Sequence, residues 1–128
     1  MAKVLGVGGV YFRCCDPQET LAWYKVVLGI ELNGSGSLDF PHRESVMEHG
    51  AGARTVVAPL RGDNRYFSPS SKAFMLNFIV DDLDAMIARI EKAGVPLAGE
   101  PVRYAQGRFA WVMDPNGLKI ELWEPVEG

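Results

Sequence analysis

Two stretches of this chain, half its length apart, carry the same punctuation. Asp16-Pro17-Gln18-Glu19 opens a helical pattern that Gly29 closes, and Asp81-Asp82 opens a second that Gly94 closes, each 65 positions after its counterpart. The ends of the two stretches agree, since Thr55-Val56-Val57-Ala58-Pro59 lines up with Glu121-Leu122-Trp123-Glu124-Pro125 at an offset of 66. Each half reads as a strand, a helix and three strands. One helix covers only one face of a four-stranded sheet, so two such units must share a sheet or close around a common concavity to cover the other. At 128 residues the length fits one domain with a core of its own. We divide it into a first module of about residues 1–60, a linker of about 61–72 and a second module of about 73–128.

The elements follow from period and capping. Val4 to Cys14 alternates as a strand would, with Val10 and Phe12 on one face and Val7, Gly9, Tyr11 and Arg13 on the other. Asp16 caps a helix with Pro17 at its first position and Glu19 where a capping box wants a carboxylate. Leu21, Tyr24 and Leu28 form its apolar stripe. Short strands are expected at Ile30–Asn33, Ser37–Phe40 and Arg54–Ala58, with His42 and His49 as surface side chains of a polar loop. Arg61 to Lys72 is polar and is read two ways, as a plain linker or as a flap over a cleft. The second half offers a strand at Ala73–Val80 and a helix whose stripe is Leu83, Met86, Ile87 and Ile90. Strands at Val95–Leu97 and Val102–Ala105 and a final hairpin complete it.

That hairpin carries the most chemistry. Asp114-Pro115-Asn116-Gly117 suits a type I turn with Gly117 as the left-handed residue of a bulge, because proline presets the first turn position. Such a turn pairs Asp114 with Leu118, and therefore Met113 with Lys119, Trp111 with Glu121, Phe109 with Trp123 and Arg108 with Glu124. A cross-strand Arg108–Glu124 ion pair is then expected. Ala110, Val112, Ile120 and Leu122 make one aliphatic face. The opposite face gathers two tryptophans, a phenylalanine, a lysine and a carboxylate, a mixture suited to a ligand cleft; the plainer reading is a half-solvated edge hairpin.

Composition narrows the classes of partner. The net charge of −3 without a basic stripe argues against nucleic acid, which is held through phosphate neutralisation. Apolar runs are too short to span a membrane, and the Met1-Ala2-Lys3 start lacks a signal-peptide core, so a soluble cytoplasmic protein is expected. Cys14 and Cys15 are the only cysteines. Neighbours on a strand point to opposite faces, so two free structural thiols are expected rather than a disulfide.

Taken together, Gly9-Val10-Tyr11-Phe12-Arg13 with Asp16-Pro17, Trp23-Tyr24 and Leu28-Gly29 form the first part of a wider pattern. Val80-Asp81-Asp82-Leu83-Asp84-Ala85, Arg108-Phe109-Ala110-Trp111, Asp114-Pro115-Asn116-Gly117 and Ile120-Glu121-Leu122 complete it. The pattern resembles the vicinal oxygen chelate superfamily of glyoxalases, bleomycin-resistance proteins and extradiol dioxygenases. The resemblance spans essentially the whole chain. It implies an α+β fold of two tandem βαβββ modules in a U-shaped, partly closed barrel around a small-molecule cleft, often in a homodimer. It does not imply one reaction. The metal positions of catalytic relatives fall on Gly9, Thr55, Met75 and Glu121. Only Glu121 is a hard ligand there, so no metal and no cofactor are expected.

The leading expectation is a metal-free small-molecule binder using Tyr11, Arg13, Asn77, Trp111, Lys119, Glu121 and Trp123. The alternative is a lactoylglutathione-lyase-like or epimerase-like enzyme with Glu121 as general base and Arg13 or Lys119 stabilising an enolate. A third class is a scaffold without a ligand, its cleft covered by a second subunit.

Overall fold

The hairpin forms as its turn chemistry dictates, and the sheet is built outward from it. A computed structural model describes residues 2–34 and 36–126. Asp114 N–H donates to Leu118 O at 2.9 Å, Gly117 N–H donates to Asp114 O at 3.1 Å, and Gly117 adopts φ 78°. The strands are β1 (Leu76–Ile79), β2 (Val102–Tyr104), β3 (Gly107–Met113) and β4 (Lys119–Pro125). They form one sheet in the order β1-β4-β3-β2, with β1 parallel to β4 and the other pairs antiparallel. The β3–β4 register is the expected one from Arg108↔Glu124 to Met113↔Lys119.

Among the described residues three α-helices accompany the sheet: α1 (Pro17–Leu28), α2 (His42–His49) and α3 (Leu83–Lys92). Asp16 caps α1 by accepting from Glu19 N–H at 3.1 Å, and Gly29 ends it in the left-handed region. Asp82, rather than Asp81, caps α3 by accepting from Ala85 N–H at 3.0 Å. The two helix starts are therefore separated by the same 66 positions as the two ends of the repeat. The core lies between α1, α3 and the aliphatic sheet face. Tyr24, Val27 and Leu28 of α1 and Leu83 and Ile90 of α3 pack there with Ala110, Val112, Ile120 and Leu122. Each fully buried aliphatic side chain contributes roughly 1.5–3 kcal/mol.

The first half departs from expectation. Neither Val4–Cys14 nor Arg54–Ala58 forms a strand, and Ile30–Asn33 with Ser37–Phe40 reduces to one bridge, Leu32↔Leu38. A strand needs a partner to satisfy its backbone and cover its side chains, and these stretches find none among the described residues. Val4, Leu5 and Val57 are 90%, 89% and 74% exposed. The result, among the described residues, is an α+β fold with one open four-stranded sheet. Residues 42–49 are helical rather than a loop, and His49 is buried, its Nε2 donating to Val80 O at 2.8 Å. In the second half, Ala73–Val80 pairs only from Leu76, and Val95–Leu97 contributes only the bridge Leu97↔Val112.

Arg108 stands opposite Glu124 without pairing to it. Its guanidinium forms a forked contact with Asp84, 2.6 Å at the shorter arm, and holds that carboxyl below its usual range. Glu124 instead accepts from Leu83 N–H at 2.8 Å, at the start of α3. Glu124 thereby satisfies an orphan N–H at the helix start, while Arg108 is engaged by Asp84.

Candidate ligand site on the aromatic face

Alternation along β3 and β4 puts Phe109, Trp111, Lys119, Glu121 and Trp123 on the face away from the aliphatic core. Phe109 stacks between the two tryptophans, with ring centroids 6.5 Å from Trp111 and 6.0 Å from Trp123. Trp123 Nε1 donates to Gln106 O at 3.1 Å, so its polar edge is satisfied. All three aromatic side chains are buried.

Glu121 is the polar centre of this face and is 8% exposed. Its Oε1 accepts from Asn77 Nδ2 at 2.7 Å, across the parallel Asn77↔Glu121 pair of β1 and β4. Its Oε2 accepts from Trp111 Nε1 at 2.8 Å and from the Tyr66 hydroxyl. Lys119 Nζ donates to the Tyr66 backbone carbonyl at 2.6 Å and lies 5.0 Å and 5.4 Å from the ring centres of Tyr66 and Trp111. Burial pushes the Lys119 ammonium below its ordinary value, while the negative charge of Glu121 opposes that shift. A buried carboxylate is thus compensated by three donors and a nearby cation, as a charge removed from water requires.

Tyr66 reaches the site from the segment between the two halves. It sits in a short 3-10 turn, Arg65–Phe67, whose entry is fixed by the Asn64 side chain accepting from Tyr66 N–H at 2.8 Å. Further along, Ser70 Oγ donates to Gly117 O at 2.5 Å. The Tyr66 ring meets Trp111 edge-on, 6.0 Å between centroids at 86°. Burial, then the bond to Glu121, raises the phenol well above its ordinary value. Tyr66 remains 37% exposed, so it covers the carboxylate from the solvent side.

Of the residues expected to bind a ligand, the structure groups Trp111, Lys119, Glu121 and Trp123 on the expected hairpin face and brings Asn77 of β1 beside Glu121. Tyr11 and Arg13 lie elsewhere. Tyr11 is 96% exposed, and Arg13 borders a separate open cleft of about 560 Å³ with Cys14, Cys15, Lys72 and Asn116. Both depend on a first strand that does not pair. The space beside Glu121, where a cleft is expected, is filled by Tyr66 from the segment of residues 61–72. The available signal was local: Asn64 two residues before an aromatic, in an otherwise polar stretch, is an Asx turn that presents the ring.

Residues 6–122 match the Glyoxalase/Bleomycin resistance protein/Dioxygenase superfamily. The chain belongs to this superfamily. Among solved structures, it is similar to TnmS3, an antibiotic binding protein from Streptomyces sp. CB03234. That likeness is 28% identity over 87% of this chain and 88% of that one, with a TM-score of 0.52. A glyoxalase/bleomycin resistance protein from the same strain is 25% identical over 86% and 92% of the two chains, with a TM-score of 0.51. A glyoxalase/dioxygenase from Nostoc punctiforme, 18% identical over 99% of each chain with a TM-score of 0.57, shares the fold. The uncharacterized protein YaeR of Escherichia coli (strain K12) is 44% identical over 52 residues, 38% of this chain and 39% of that protein. The chain thus matches less than half the length of that curated relative.

Proposed function

We propose that this protein binds a small aromatic molecule on the face centred on Glu121, without a metal ion, and that the segment carrying Tyr66 opens to admit it. The observation that carries this reading is the composition of the face. One carboxylate is fixed by Asn77 and Trp111 among stacked aromatic rings, while its third donor comes from a half-exposed turn. Aromatic walls hold flat ligands and a single placed carboxylate orients one polar end. The similarity to a protein described as antibiotic binding supports a binding role of this kind.

The donor set does not fit a divalent cation. Asn77, Trp111 and Tyr66 present hydrogens to Glu121 where a cation needs further lone pairs. Gly9, Thr55 and Met75 supply no hard anionic ligand, and among the described residues no group of three or more His, Cys, Asp or Glu converges. The donors on Glu121 also weigh against the alternative reading of this residue as general base, because Oε2 is doubly occupied while Tyr66 is in place.

The repeat supports a second element of the proposal: two βαβββ modules completed by a second copy of the chain. Shifted by 66 positions, β1 falls on Val10–Arg13 and β4 on Ala53–Pro59. Those segments have no strand partner among the described residues and expose Val10, Tyr11, Val56 and Val57, and β1 is an open edge of the sheet. Pairing between copies would bring Tyr11, the repeat counterpart of Asn77, and Arg13 toward the aromatic face. No described helix is long and apolar enough to cross a membrane, and a cytoplasmic setting would keep both thiols reduced.

The test is titration of the labelled protein with anthraquinone-2-sulfonate, followed at the indole N–H resonances. A saturable shift at Trp111 that is lost in Trp111→Leu supports the reading. No shift at Trp111 from this or other flat aromatic probes overturns it.

A further inference from the structure

The Tyr66 side chain has the attributes that a ligand of this face would need, and the chain supplies it from outside the sheet. Its hydroxyl donates to Glu121 Oε2, its ring meets Trp111 edge-on, and the Lys119 ammonium stands 5.0 Å from its centre. These are three different interactions with three different residues of the sheet, and all act on one phenol. The turn that delivers it rests on few bonds. Asn64 caps it, Lys119 holds one carbonyl and Ser70 holds the far end, while residues 61–66 are exposed throughout.

We infer that Tyr66 is an internal stand-in for the ligand, and that the site selects hydroxylated aromatic compounds whose phenolic O–H replaces that of Tyr66 on Glu121. This rests on the binding role proposed above and adds the ligand's chemical class. When Tyr66 leaves, Oε2 of a buried carboxylate loses one of its two donors and keeps Trp111 Nε1, and a compound without a hydrogen to give leaves the second acceptor position of that oxygen unfilled. A site built around a hydrogen bond rejects the isostere lacking it far more strongly than an apolar pocket rejects a lost methylene. An ether of the same ring fits the aromatic wall but presents only a second acceptor. The Lys119 ammonium favours an electron-rich ring over an electron-poor one for the same reason that it sits by Tyr66.

The experiment compares 2-naphthol with 2-methoxynaphthalene by calorimetry and by the Trp111 indole resonance, on the full chain and on Tyr66→Phe, Tyr66→Ala and Glu121→Leu. The wild type is expected to bind 2-naphthol at least tenfold tighter than its methyl ether. Tyr66→Phe and Tyr66→Ala, which weaken or remove the internal competitor, are expected to bind 2-naphthol several-fold tighter still. Glu121→Leu is expected to erase the preference; if that variant does not fold, Glu121→Gln takes its place with the same expectation of a reduced ratio. Equal affinity for the two compounds, or tighter binding by the wild type than by both Tyr66 variants, overturns the stand-in while leaving aromatic binding intact. No shift of Trp111 by either compound, where anthraquinone-2-sulfonate does shift it, also overturns the stand-in. Silence toward all three removes the binding reading itself.

Discussion

The Tyr24 hydroxyl donates to Asp114 Oδ2 at 2.9 Å, joining residues 90 positions apart. Tyr24 belongs to the helix of the first half, and Asp114 to the turn of the final hairpin. The same carboxylate accepts from Asn116 N–H at 2.8 Å and Leu118 N–H at 2.9 Å, so it fixes the turn and anchors the helix together. Asn116 strengthens the tie by donating to Thr20 Oγ1 at 3.0 Å. The motif that marks the turn in the sequence therefore also decides where α1 sits.

Removing either partner should be costly. Tyr24→Phe deletes one hydrogen bond to a buried charge and is expected to lower stability by about 1.5–3 kcal/mol. Asp114→Ala strands several donors at once and is expected to cost roughly 3 kcal/mol or more. Urea unfolding of the two variants checks this, and an unchanged midpoint for Asp114→Ala would show that the turn is held by other means.

Alkaline pH should loosen the molecule through two phenols. Tyr24 is raised by burial and then by the charge of Asp114, and Tyr66 by burial and then by its bond to Glu121. Both folded values lie above the unfolded value of 10.0. Their stabilisation is thus complete below that pH and is lost as pH rises toward the folded values, because the unfolded chain releases these protons first. Tyrosinate absorbance during a pH titration should show late-ionising tyrosines, and Tyr24→Phe and Tyr66→Phe should each remove one of them.

Gly107 should not tolerate a side chain. It sits at φ 141°, and a Cβ there would collide with the backbone carbonyl of Glu124, with Trp123 Nε1 at 2.9 Å and Pro125 Cα at 3.0 Å. Gly107→Ala is expected to cost at least about 2 kcal/mol, since backbone strain and a steric clash act together. Urea unfolding measures it, and a loss within experimental error would mean that the strand end shifts freely.

The assembly proposed for the two halves gives a direct expectation of mass. Light scattering on the eluting protein should report two chains, and Val57→Glu, a charge on one of the exposed unpaired segments, should shift it toward one. A monomer at high micromolar concentration would overturn the second-copy proposal.

After chelation and dialysis the protein should hold no stoichiometric divalent ion by elemental analysis, because the groups meeting Glu121 are donors. A retained ion that disappears in Glu121→Gln would contradict this.

What the sequence made legible was local. Asp114 to Gly117 set the hairpin register, and the register alone placed Trp111 opposite Glu121 and separated the aliphatic face from the aromatic one. The cap at Asp16 is readable because a side chain bonds a backbone group three residues on, and the second is readable only as the pair Asp81-Asp82, of which Asp82 makes the bond. What escaped depends on distant partners. Val4 to Cys14 has the alternation of a strand, yet alternation describes which faces a strand would have and not whether an edge exists to receive it. His49 looked like a polar loop residue, and its burial follows from a carbonyl at Val80, 31 positions away. Tyr66 is presented by a local Asx turn, yet the carboxylate that it meets lies 55 positions away, and the local pattern does not name that partner.

The anchors of the Tyr66 segment have a bearing on rates. Lys119 and Gly117, which hold it at two points, belong to the same turn and strand that position Glu121. The cover and the carboxylate therefore share one rigid base, and a ligand cannot push the cover aside by moving the carboxylate. Under the binding role proposed above, opening precedes entry. The observed association rate should then climb with ligand concentration only until it meets the opening rate of the segment and level off there, and Ser70→Ala should raise that ceiling while leaving the contacts to the bound ligand untouched.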